Sequence, residues 1–204
     1  MARPRTLLLR VLVHGAALLL LAGLAWAYWQ GLLGPDPVGE LTRRTGRYAI
    51  IFLLLSLVPT VAAALRFRDL LRVRRALGLY AFFFTLLHLL AFAGVDYAFN
   101  LAQLARVIRE DPRVLVGVIT LLLLLPLAMT STNAAVRRLG KNWKRLHRLA
   151  YLAAGLDVLH YALNFKELRI LPVLAGIVLV LLLLVRLPPV TRLLGRLGSR
   201  QPNP

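Results

Sequence analysis

A chain without cysteine must rest any metal or redox chemistry on imidazole, carboxylate, thioether or phenol groups, and the imidazoles here are four: His14, His88, His147 and His160. Thiolate metal sites, iron–sulfur clusters, disulfides and cysteine nucleophiles are excluded at once. Asp157 stands three residues before His160, on a similar face of any helix that carries both. His147 stands thirteen residues before His160, and Arg74 fourteen before His88. Neutral imidazole is a common metal ligand and, with carboxylates, a common member of intramembrane proton relays. Which chemistry applies depends on the elements that hold these groups.

Those elements belong in a bilayer. Hydrophobic residues make up 59% of 204 and the mean hydropathy is +0.73, against roughly 45–50% apolar content in soluble domains. The net charge of +18 is held in short clusters between long apolar runs, the pattern of a protein facing anionic lipid and not of one that binds nucleic acid. About 20 apolar residues cross the roughly 30 Å of hydrocarbon. Six stretches qualify, Val11–Leu33, Tyr48–Leu65, Ala76–Phe99, Val114–Ala135, Leu149–Phe165 and Ile170–Val185. Pro59 and Pro126 lie inside two of them, where neighbouring helices can satisfy the freed backbone groups. The first resembles a signal peptide, with Arg3, Arg5 and Arg10 ahead of a leucine run and Ala25-Trp26-Ala27 behind it, but its apolar run continues through Leu33 and it is read as a retained span. The expected fold is an all-α membrane protein, a six-transmembrane-helix bundle forming one domain over residues 1–204. Of the 26 Lys and Arg residues, 18 fall in the N-terminus, the Arg66–Arg75 and Arg137–Arg148 connections and the C-terminal tail, so both termini are expected to be cytoplasmic. Gly34–Arg47, Asn100–Arg113 and Lys166–Arg169 then face the opposite side and carry five of the eight acids.

With the spans drawn, His88 lies twelve residues into the third and His160 eleven into the fifth. Both spans start on the cytoplasmic side, so the two imidazoles share a depth in the outer half. Such a pair can ligate one haem iron from both faces, which fills both axial positions and suits electron transfer. The same residues can equally be buried histidines bonded to a neighbouring backbone. His147, at the cytoplasmic mouth of the fifth span, lies about 20 Å from His160 along the axis and about 140° away in rotation; it is a candidate for a second haem or part of a basic interfacial loop. Arg74 holds the place where a partner ligand on the third span is expected; it cannot ligate iron but can pair with a haem propionate. His14, one turn inside the first span, is the other imidazole near that depth, with a ligand, packing or quinone-site role open to it. Asp157 is expected to be neutral, paired or in reach of water. The basic loops are positive-inside signals that could also dock an acidic reductase or a flavin phosphate. No G-x-G-x-x-G, P-loop, zinc motif or Ser/His/Asp constellation is present.

In these residues the chain resembles the haem-binding membrane subunits of bacterial periplasmic methionine-sulfoxide reductase systems, the MsrQ or YedZ family of the ferric-reductase-like transmembrane group. The resemblance rests on Gly34-Pro35-Asp36-Pro37-Val38 with Thr45-Gly46, on Arg74–Leu79 leading to Leu87-His88-Leu89, and on Thr130-Ser131-Thr132-Asn133. It continues in Leu139–Trp143 with Leu146-His147 and Tyr151, and in His160-Tyr161. It implies a b-type haem on His88 and His160, with His147 ligating a further haem, so one or two haem irons in all. It also implies bound FMN, hence a flavoprotein, although no residue here locates it. Electrons would enter from the quinone pool or a cytosolic flavin reductase. They would leave to a periplasmic molybdopterin-containing methionine-sulfoxide reductase that repairs oxidised proteins. The chain would be a multi-pass protein of the bacterial inner membrane, a non-catalytic subunit of an oxidoreductase. Competing readings are a proton-coupled transporter using Asp157, His88 and His160 as a relay, and a cofactor-free membrane scaffold.

Overall fold

A computed structural model describes residues 4–64, 67–164, 170–187 and 190; the expected Lys166–Arg169 connection and residues 191–204 lie outside that set. Among the described residues every regular element is helical. Helices α1 (Pro4–Trp29) and α2 (Pro37–Ala64) are followed by a 3-10 turn at Arg68–Arg72. Then comes α3 (Arg74–Ala91), which widens into a π-helical segment at Phe92–Asp96. Next are α4 (Leu101–Glu110) and α5 (Pro112–Met129), two short helices α6 (Asn133–Leu139) and α7 (Lys141–Leu146), and finally α8 (Leu149–Leu163) and α9 (Ile170–Leu184).

Four segments, Arg5–Trp29, Pro37–Ala63, Arg74–Asp96 and Pro112–Met129, are long and apolar enough to cross a bilayer. Six were expected. The other two, α8 and α9, have 15 residues each, about 22 Å of helix against roughly 30 Å of hydrocarbon. Multi-pass membrane character follows from the four.

The boundaries differ from the hydropathy reading where capping outweighs polarity. Gly34–Arg47, expected as a connection, is helical from Pro37. Asp36 accepts from the Gly39 N–H at 2.9 Å, Pro37 stands in the first turn, and Glu40 pairs with Arg43 and Arg44 at 3.0 and 2.7 Å, so the charges are matched one turn apart. Asn100–Arg113 likewise contains α4, opened by Asn100 accepting from Gln103 N–H at 3.1 Å. Helix α5 stops at Met129 and not Ala135. Beyond Pro126 the hydroxyls of Thr130 and Ser131 donate to the Pro126 and Leu127 carbonyls at 2.6 and 2.7 Å, and Thr132 caps α6 by accepting from Ala135 N–H.

Two helix pairs form the body of the bundle, α2 with α3 and α5 with α8; α8 also touches α2 and α9, while α1 is attached more loosely. Phe52 and Phe84 stack with centroids 5.5 Å apart and planes 11° from parallel, and Tyr48 meets Phe84 edge-on. Ala49, Ala81, Ala153 and Ala154 are buried, small residues of the kind that let helices approach in a bilayer, where packing and not water exclusion drives association. Leu19, Trp29, Leu122 and Ile170 stay exposed and belong to the lipid-facing surface.

Candidate metal centre

His88 rides on α3 and His160 on α8, one from each helix pair. Their rings lie with centroids 5.9 Å apart and planes at 79°. Two imidazoles each binding one metal through a nitrogen at about 2 Å would have centroids roughly 6 Å apart, so the spacing suits a shared ion. Each ring is anchored from behind. His88 Nδ1 donates to the Thr42 carbonyl of α2 at 2.9 Å, and His160 Nδ1 donates to the Arg113 carbonyl of α5 at 2.8 Å. A carbonyl only accepts, so Nδ1 carries the proton and Nε2 the lone pair. This outer bond also fixes ring orientation and raises the basicity of the ligating nitrogen. Among the described residues no three or more His, Asp or Glu side chains cluster as a metal site. A two-imidazole donor set fits a metal that brings its other ligands with it, as haem iron does.

A cavity of about 240 Å³ is lined by Arg74, Arg75, Ser56, Ser131, Trp143 and His147 among others. His147 stacks on Trp143 with centroids 3.9 Å apart and planes at 25°. Trp143 is itself pinned, its Nε1 donating to the Thr130 carbonyl at 2.9 Å, while His147 Nδ1 lies 3.2 Å from the Trp143 carbonyl. His147 Nε2 is buried and makes no hydrogen bond among the described residues. Burial holds this imidazole below the usual histidine range, the Trp143 and Leu127 carbonyls opposing and the charges of Arg74 and Arg75 adding to the effect. A neutral, unpartnered nitrogen beside two guanidinium-bearing residues suits a metal or an anionic cofactor. The volume falls just under the roughly 300–1,000 Å³ of small-molecule sites, room for an anionic head or an edge of a larger group.

His14 is brought to neither place. Its Nδ1 lies 2.7 Å from the Tyr80 hydroxyl and the two rings meet edge-on, a tie between α1 and α3. Asp157, one turn before His160, buries its Oδ2 without a hydrogen-bond partner among the described residues. The sequence reading missed Thr42, Arg113 and Trp143, two of which act only through backbone carbonyls and so leave no trace in residue type.

Residues 45–157, more than half the chain, match the family described as ferric reductase like transmembrane component. The chain is 44% identical over 203 residues to the protein-methionine-sulfoxide reductase heme-binding subunit MsrQ of Rhodospirillum rubrum, covering 98% of this chain and 97% of the relative. The corresponding Caulobacter vibrioides protein is 44% identical over 168 residues, covering 81% and 80%. That of Xanthomonas oryzae is 42% identical over 181 residues, covering 85% and 83%. The chain belongs to the MsrQ family. For an MsrQ-family chain the ferric-reductase-like match contains Gly46, His88 and His147 and closes at Asp157, three residues short of His160. The whole-length likeness to the Rhodospirillum protein runs well past it.

Proposed function

We propose that this chain is the haem-binding, electron-transferring membrane subunit of a periplasmic methionine-sulfoxide reductase system. The observation that carries the reading is the His88–His160 pair, two imidazoles from different helices, 5.9 Å apart, each with Nδ1 committed to a carbonyl. These residues would hold a b-type haem at the outer end of the bundle. Haem, held there by His88 and His160, would supply a one-electron carrier whose potential the protein would set through ligand basicity and burial. This chain's own part is to hold the two nitrogens apart and aligned, to keep their protons on Nδ1, and to seat the half-buried pair between α2, α3, α5 and α8.

His147, with Arg74 at the same cavity, would hold an inner group, either a second haem or the FMN the family is described as binding, with arginine pairing to its anionic part. In this reading α8 and α9 complete a six-span bundle of the bacterial inner membrane with cytoplasmic termini. Electrons enter at the His147 end from the quinone pool or a cytosolic flavin reductase. They leave from the His88–His160 end to a molybdopterin-containing catalytic partner in the periplasm, so the sulfoxide never meets this chain. The likeness of 42–44% to subunits named as heme-binding supports haem; quinone, FMN and the molybdopterin partner rest on resemblance.

The test is the dithionite-reduced minus oxidised visible spectrum of detergent-purified, haem-supplied protein beside His88→Ala and His160→Ala. A b-type signal lost in both variants is expected. A featureless wild-type spectrum from folded protein would remove the electron-transfer reading and bring forward a proton relay through Asp157.

A further inference from the structure

The acceptors of the two imidazoles share a local pattern. His88 bonds to the carbonyl of Thr42, and four residues on, at Gly46, a Cβ would stand 3.0 Å from His88 Nδ1 and 3.2 Å from its Cε1. His160 bonds to the carbonyl of Arg113, and four residues on, at Gly117, a Cβ would stand 2.9 Å from His160 Cε1 and 3.1 Å from Nδ1. Ordinary van der Waals contact for a Cβ begins at 3.4 Å. Thr42 and Gly46 are both in α2, while Arg113 and Gly117 are both in α5, so two unrelated helices offer the same carbonyl-and-glycine unit to two different histidines.

The helix itself explains the pattern. The carbonyl of residue i accepts the N–H of residue i+4 and keeps a second lone pair. The side chain at i+4 leans toward the helix N-terminus and covers the turn before it, which is where that lone pair points. With glycine at i+4 a ring from a neighbouring helix can lie against the bare backbone and donate to the carbonyl, as His88 does at Thr42 although that carbonyl also takes the Thr45 hydroxyl at 3.0 Å. We infer that Gly46 and Gly117 are positioning residues that open the Thr42 and Arg113 carbonyls as seats for His88 and His160, fixing both Nδ1 tautomers and the crossed, 79° arrangement of the rings. His147 differs, in that its Nδ1 faces the Trp143 carbonyl in its own chain segment, four residues back.

This inference rests on His88 and His160 being the axial pair, and its test separates the two. Gly46→Ala and Gly117→Ala are made beside His88→Ala, His160→Ala and a control, Gly155→Ala on α8, where a Cβ meets nothing within 4 Å. Helical content is followed by circular dichroism. Haem affinity, the ferric low-spin EPR signal, which reports the angle between axial imidazole planes, and the midpoint potential are then measured. A Cβ that pushes the ring off its carbonyl should cost roughly 10–100-fold in haem affinity, the usual effect of losing an outer-shell partner. It should also shift the EPR signal and raise the potential, because the less basic imidazole favours ferric iron less. Gly117→Ala should do more than Gly46→Ala, and Gly155→Ala should do nothing. Complete haem loss from a variant with wild-type helix content is the limiting case of the same effect. If Gly117→Ala does not accumulate in membranes, Gly46→Ala, with the looser contact, carries the test. Wild-type affinity, EPR and potential in both alanine variants, with haem lost in the histidine variants, overturns the seat. Haem retained in the histidine variants overturns the axial pair instead.

Discussion

Asp111 makes its hydrogen bonds to Arg113 and not to either candidate ligand, yet it should control how firmly His160 is held. Its carboxylate caps α5 by accepting from the Arg113 N–H at 2.8 Å and grips the Arg113 guanidinium at 2.6–3.1 Å. The carbonyl of that same Arg113 receives the His160 proton. Asp111→Ala removes the cap, worth about 1 kcal/mol, and an ion pair whose Arg113 side is half exposed, worth at most about 1 kcal/mol. Asp111→Asn keeps a good capping residue and loses only the ion pair. The alanine variant should therefore unfold about 2–8 °C earlier, on a scale of roughly 2–4 °C per kcal/mol for a chain of this length. It should also bind haem more weakly, since the frayed turn carries the acceptor; the asparagine variant should lie within about 1 kcal/mol of wild type. Acidity should act in the same direction. The hydrogen bond from Arg113 holds the Asp111 carboxyl below its ordinary 3.8. The unfolded chain therefore takes up the proton first, and the contribution is complete above pH 4 or so and lost as pH falls through the lowered value. Thermal unfolding followed by circular dichroism, with haem titration of each variant, is the assay. Equal unfolding temperatures and equal haem affinities for wild type and Asp111→Ala would refute the coupling.

Three further outcomes follow from the geometry. If His88 and His160 hold a haem as proposed, His147→Ala should leave its spectrum intact while removing any second component; loss of the whole signal would mean that the two places are one site. Trp143→Ala frees the His147 ring from its stack and should weaken the inner component without touching the outer, read by the same difference spectrum; an unchanged inner component would refute this. His14→Ala and Tyr80→Phe cut a tie between α1 and α3 and should keep the full haem signal, with a loss of stability on the order of 1 kcal/mol seen in thermal unfolding. Loss of haem from either would place a ligand or its support on α1.

The histidine pair was legible in the sequence because depth along a helix is arithmetic. Twelve residues into one span and eleven into another, entered from the same side, put His88 and His160 level, and the structure brings their rings together. His147 and Arg74 were legible as neighbours for the same reason, and they share a cavity. Angular position was less legible, because it depends on tilt and on which helices adjoin. The sequence therefore offered His14 as a companion to His147, whereas α1 lies against α3 and its imidazole meets Tyr80. Helix ends depart from the ends of the apolar runs wherever a cap overrules hydropathy, as at Asp36-Pro37 and at Pro126–Thr132. The backbone acceptors were not legible at all: nothing in the identity of Thr42 or Arg113 says that its carbonyl is open, and the one trace in the sequence is the glycine four residues later.

The placement of those acceptors bears on how the bundle holds together. His88 of α3 is seated on α2, its own partner, and His160 of α8 on α5, its own partner, so each imidazole is fixed within one helix pair before any metal arrives. The pairs α2–α3 and α5–α8 each pack along their length, with lighter contact between α3 and α5 and between α2 and α8. A metal shared by His88 and His160 would thus bridge the seam between the two helix pairs, where packing is lighter than within either pair. Haem binding and pairing of the two halves are then linked quantities, because a ligand that binds only the assembled form stabilises it by mass action. Seats built inside each pair leave a preformed ligand geometry on both sides of that seam, so that little ordering of side chains is left to oppose binding.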